Sequence, residues 1–153
     1  MPAETAGNEA HSPRHVVERY LETFNSGDLD AALARYAENS INHGYPVTRA
    51  RIRTVLEDIK TRFPNARLTP QQFIEQGEWV VVRAMYSGTH QGTGTLPVDG
   101  GMLIGVAPTG KSFEAQTIHM FRVVDGAIVE HRASRDDLEM MRQLGLLPRP
   151  AFP

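Results

Sequence analysis

The sequence contains no cysteine among its 153 residues, which rules out disulfides, thiolate metal sites and a cysteine nucleophile. It has no apolar run near the roughly 20 residues that a bilayer crossing needs, so no membrane partner is expected. It also has no charge excess. Sixteen Lys and Arg stand against 18 Asp and Glu for a net charge of -2, without the basic footprint that nucleic acid or an anionic membrane demands. The opening MPAETAGNEAHSP lacks the basic and apolar regions of a signal peptide. GTGT at 92–95 and PTGK at 108–111 lack the strand-to-helix context of a phosphate loop or nucleophile elbow. What remains is 41% hydrophobic and 22% charged, the ordinary composition of one water-soluble domain. A cytoplasmic location is the expectation.

Residues 1–11 are small and polar and read as a disordered tail, 12–148 as the domain, and 149–153 as a second tail. Ser12-Pro13 starts a helix, with Ser as the cap and Pro in the first turn. Val17, Tyr20, Leu21 and Phe24 form its apolar stripe, and Asn25-Ser26-Gly27 ends it. Asp28 caps a short second helix, expected to bury Leu29, Leu33 and Tyr36; Ser40 to Pro46 reads as extended or irregular. Thr48 caps a third helix, in which Ile52, Val55, Leu56, Ile59 and Phe63 keep the helical period up to Pro64-Asn65.

Strands are predicted beyond that point, at about Arg67–Glu75 and Glu78–Ser87. In the second, Val80, Val82, Ala84 and Tyr86 make the face toward the helices. Thr89 to Gly110 is Gly-rich and too long for a plain hairpin loop, a length that is usually functional or mobile. Phe113 to Asp137 then reads as two strands folded back on Asp125-Gly126, a strong hairpin signal. Ala115, Thr117, His119 and Phe121 share one face of the first arm. Val129, His131, Ala133 and Arg135 share one face of the second, with Glu130 and Arg132 opposite. A last helix spans Asp136 to Leu144 and stops at Gly145. Helices, then antiparallel strands, then a terminal helix predict an α+β domain whose helices cover a curved sheet.

Four stretches give this order a family likeness: VVERYLETFNSGDLDAALARYAENSINHG near the start, SGTHQG at 87–92, APTGKSF at 107–113, and IHMFRVVDGAIVEHRASRDDLEMMRQLGLLP at 118–148. The sequence resembles the SnoaL-like polyketide cyclase group, also called ester cyclases, within the NTF2-like superfamily. The likeness runs over roughly residues 14–148. It implies a cone-shaped α+β barrel with an apolar cavity, a homodimer packed through the sheet, and acid–base chemistry without metal or cofactor. The expected ligand is an apolar, carbonyl-bearing, polyketide-like molecule, closed into a ring by an intramolecular aldol reaction. One departure stands out. The cyclases' general acid/base is an aspartate two residues after the His of a Glu-His-Trp-Asp pattern. Here the pattern reads Glu130-His131-Arg132-Ala133. The pocket histidine of the cyclases does match, at His119.

His119 is therefore the first catalytic candidate, since imidazole exchanges protons near neutral pH; the alternative is a buried histidine tied to a backbone carbonyl. Asp136 and Asp137 are the nearest acids to the missing one, and Asp136 is the second candidate, but it can equally cap the last helix while Glu139 reaches back. His43 is a third candidate, beside a polar Asn42. Tyr20, Tyr36, Tyr86 and Phe121 are expected to form the cavity wall. His90 is placed at the entrance, and Arg135 at the mouth, where it can hold an enolate or carboxylate unless Glu130 or Asp137 pairs with it. No histidine pair has the close spacing of a zinc site. Two other readings stay open: a binding protein that kept the cavity and lost the acid, and a hydroxylase-like accessory protein.

Overall fold

The computed structural model describes residues 12–97 and 101–151; the expected tail at 1–11 lies outside them. Helix α1 (Pro13–Ser26) begins where the Ser12 hydroxyl oxygen accepts the His15 N–H, and ends at Gly27, whose φ of 82° suits glycine. Its buried stripe is Val16, Val17, Tyr20, Leu21 and Phe24. Helix α2 spans only Leu29–Leu33. Tyr36 is not on it, as the sequence suggests, but opens strand β1 (Tyr36–Asn42), and it stays buried there. The stretch read as extended or irregular is extended: β1 pairs with β2 (Tyr45–Thr48) around His43-Gly44, whose φ values of 51° and 87° define a two-residue hairpin turn. Helix α3 (Arg49–Arg62) is capped by Thr48, as expected.

Four long strands complete the sheet: β3 (Arg67–Gln76), β4 (Trp79–Thr89), β5 (Ser112–Val124) and β6 (Ala127–Arg135). Their order is β2-β1-β6-β5-β4-β3. Every neighbouring pair is antiparallel except β1 and β6, which run parallel. The turn at Asp125-Gly126 has φ of 49° and 75°, and Phe113 to Val123 bury every second residue. Val80, Val82, Ala84 and Tyr86 are buried as expected.

On β6 the alternation breaks once. Ile128 faces Val123 and Glu130 faces Arg122, so Val129 is an extra, unpaired residue. Ile128, rather than Val129, therefore takes the inward position and is fully buried. Beyond the bulge His131, Ala133 and Arg135 share the inner face. Helix α4 (Asp137–Gln143) closes the chain against β5, with Met140 and Met141 buried.

The Gly-rich segment after β4 is tied down rather than loose where it is described. His90 is completely buried: its Nδ1 accepts the Thr109 N–H, its own N–H donates to Lys111 O, and its carbonyl accepts from Gly110. Leu103 is buried in the core. Asp58 and Arg62, one turn apart on α3, form an interior ion pair of 3.0 Å that grips residues 91–96.

Candidate active site

The inner face of the sheet and helices α1 and α3 enclose a cavity of about 520 Å³. That is room for a molecule of several rings. Its wall is aliphatic on the α3 side (Ile52, Val55, Leu56, Ile59), and Leu96 and Pro97 of the Gly-rich segment close one flank. Tyr20, Tyr36, Tyr86, Asn42, His43, His119 and Arg135 all line it. His131, Ala133, Tyr45 and Arg51 line it too. Of these four, the two-residue strand period points to His131 and Ala133 alone. No carboxylate among the described lining residues is present.

Three expected site residues lie elsewhere. Phe121 is fully buried behind the cavity, stacked at 4.3 Å on His131 and covered by Tyr20 at 5.7 Å. It shares parity with His119, but α1 packs over it. His90 is not at the entrance; the Gly-rich segment needs its ring nitrogen and backbone to close on themselves. Asp136 does not line the cavity. Its carboxylate accepts the Glu139 N–H at 3.1 Å and caps α4, while its own N–H donates to Gln116 O, so Glu139 does not reach back to it.

The polar floor is one hydrogen-bonded chain. The Tyr36 hydroxyl lies 3.0 Å from His131 Nδ1, His131 Nε2 lies 2.9 Å from His119 Nδ1, and His119 Nε2 lies 3.1 Å from Thr117 Oγ1. Thr117 donates onward to the Ser134 carbonyl at 3.1 Å. The two imidazoles stack 5.1 Å apart with Phe121 against both. Strand parity and register account for this arrangement: β5 brings Thr117 and His119 inward, and β6 sets His131 and Ala133 opposite Phe121 and His119.

Burial governs the charge of these groups, with nearby cations adding to it. It lowers the pKa of His119 to about 3, helped by Arg135 and His43. His131 is pushed well below the histidine range by burial, then by His119, His43 and Arg135. His43, at the rim, is lowered by partial burial and by Arg135 and Arg132. Burial raises Tyr20 to about 12 and holds Tyr36 well above the tyrosine range. The floor is thus neutral. Arg135 reaches the mouth with its Nε 3.1 Å from Asp137 Oδ1, the pairing anticipated from the sequence.

A cavity-bearing α+β barrel with a hydrogen-bonded histidine floor defines the class: a pocket-bearing protein on a curved sheet. Within that class, residues 14–144 match the model of the SnoaL-like polyketide cyclases, and the chain belongs to that family. It is 29% identical over 137 residues to the aklanonic acid methyl ester cyclase DnrD of Streptomyces peucetius, covering 85% of this chain and 88% of the relative. It is 35% identical over 80 residues to the nogalonic acid methyl ester cyclase of Streptomyces nogalater, about half of each chain. Among solved structures, wild-type IdmH of Streptomyces antibioticus superposes with a TM-score of 0.71 at 31% identity, over 87% of this chain and 98% of that one. Among the described residues, no helix is long and apolar enough to cross a membrane.

Proposed function

We propose that the protein is a cofactor-independent cyclase that closes a ring in an apolar, carbonyl-bearing, polyketide-like ester. The observation that carries this reading is an otherwise apolar cavity of about 520 Å³ lined by three histidines whose pKa values burial lowers, His43 at the rim among them. A methylene between two carbonyls needs only a base to become an enolate. An enclosed wall then folds the chain so that the enolate carbon meets a second carbonyl, which supplies the entropic part of the rate. The alkoxide formed takes the proton back, so mass is unchanged. Arg135 at the mouth and Asn42 on the β1 rim are placed to hold the developing oxyanion.

Incubation with aklanonic or nogalonic acid methyl ester is expected to give a ring-closed isomer of the same mass, followed by chromatography and mass spectrometry. Binding of both esters without any isomer would sink the cyclase reading and leave a binding protein. The outer sheet face exposes Ile118 and Met120 in mid-sheet and Ile74 and Ile41 toward its edges. We assign this apolar face to a second copy of the chain. Light scattering should give a dimer, and Met120→Lys a monomer; a wild-type monomer at tens of micromolar would refute it.

A further inference from the structure

The resemblance points to His119 as the proton-transfer residue, but the order of protons along the floor argues otherwise. A hydroxyl has one proton. Thr117 lies 3.1 Å from the Ser134 carbonyl, which can only accept, so the threonine's proton goes there. Toward His119 Nε2, also at 3.1 Å, Thr117 must then accept, so Nε2 carries a hydrogen. A neutral ring has one hydrogen, so His119 Nδ1 is bare and accepts from His131 Nε2 at 2.9 Å. His131 Nδ1 is bare in turn and accepts from the Tyr36 hydroxyl at 3.0 Å. Every lone pair of both stacked imidazoles is occupied. A proton from a substrate has no nitrogen to enter on either ring without breaking a buried bond.

His43 is the exception. It lines the cavity, and among the described residues its ring makes no hydrogen bond. Its backbone sits at the first position of the two-residue β1–β2 turn, at φ 51°, where asparagine or aspartate before glycine is the easy choice. Its N–H donates to the His131 carbonyl at 2.9 Å, and its ring lies 6.0 Å from that of His131. The groups that face it are His131, His119, Arg135 and Arg132, so no carboxylate competes for its nitrogens among the described neighbours.

We propose that His43 is the proton acceptor of the cavity, and that Thr117 is a positioning residue that fixes the proton order of His119, His131 and Tyr36. This rests on the cyclase reading only for the word catalytic. The proton order stands or falls without any turnover.

The test joins nitrogen-15 spectra of the histidine rings to kinetics. In the wild-type protein His119 and His131 should both show the Nε2–H tautomer, and His43 should be the first of the three to take up a proton as pH falls. Thr117→Val should abolish the single tautomer of His119, and Thr117→Ser should restore it. An Nδ1–H tautomer at His119, or proton uptake by His119 or His131 before His43, would overturn the proposal. On an ester that cyclises, His43→Asn, which suits the turn, should lower kcat about 10²-fold or more with KM little changed. Retention of full kcat in that variant would overturn it equally. If no ester cyclises, the function reading fails, while the spectra still decide the proton order and the accepting ring.

Discussion

Asp58→Ala is expected to lower folding stability by about 3–5 kcal/mol, the range for removing one partner of a buried ion pair. Asp58 is 8% exposed and Arg62 not at all. The carboxylate holds Arg62 through Oδ2 at 3.0 Å, and through Oδ1 it accepts the Thr95 N–H at 2.8 Å. Arg62 also donates to the Leu96 carbonyl, and its own carbonyl accepts from Gln91 and Gly92. Without Asp58 a buried guanidinium loses one ion-pair partner and a backbone N–H loses its acceptor. The segment is fitted closely here: a Cβ on Gly94 would come within 1.7 Å of Arg62 Nε, and one on Gly92 within 2.0 Å of Thr61 O. Urea unfolding would measure the loss, and a change under about 1 kcal/mol would contradict the account. Asp58→Leu combined with Arg62→Met should recover the part of the loss that comes from the broken ion pair, but not the part lost with the Thr95 and Leu96 hydrogen bonds. Because Leu96 and Pro97 form a flank of the cavity, Asp58→Ala should weaken ligand binding as well.

Ala133→Asp is expected to raise turnover of a cyclisable ester by about 10²-fold, the lower range for an added general base. Ala133 lies in register with His119 and on the cavity wall. Opposed residues of antiparallel strands have Cβ atoms about 4.5–5.5 Å apart, so the carboxylate would reach the imidazole. The same substitution should change the response to acid. In the wild-type fold His119 binds its proton only near pH 3, against 6.5 for the ordinary group. Between those values the unfolded chain holds the extra proton, so stability falls as pH falls, by about 1.4 kcal/mol per unit for one ring. A carboxylate opposite His119 raises the folded pKa, because opposite charge favours the imidazolium. Melting temperatures from pH 7 to pH 4 should therefore decline less steeply in Ala133→Asp. An unchanged pH slope together with unchanged turnover in a folded variant would show that nothing at this wall reaches His119.

What could be read beforehand followed from local rules. Asp125-Gly126 announced its hairpin, and the two-residue period put Thr117, His119 and Phe121 inward. Ser12, Thr48 and Asp136 all cap helices, though for Asp136 sequence alone left capping and catalysis both open. The β1–β2 hairpin went unread because its turn is His43-Gly44 and not asparagine-glycine. The glycine after a lone polar residue was the available signal. The β1–β6 parallel pairing joins residues about ninety positions apart, beyond any local pattern. The bulge at Val129 moved Ile128 inward, against strict alternation. His90 was expected at the entrance because it opens the Gly-rich segment, yet the Thr109 and Gly110 N–H groups take its ring nitrogen and carbonyl.

The position of the β1–β2 hairpin has a consequence for traffic through the cavity. It carries Asn42, His43, Tyr45 and Val47, a whole side of the wall, yet among the described residues it joins the sheet only through the short, irregular contact of β1 with β6. β2 is a four-residue edge strand with little buried surface. Local opening free energies are lowest where few apolar contacts hold an element. Of the elements around the cavity, this hairpin is therefore expected to open before β4 and β5, which are paired along eleven positions. A bulky product would then leave past the same turn that holds His43.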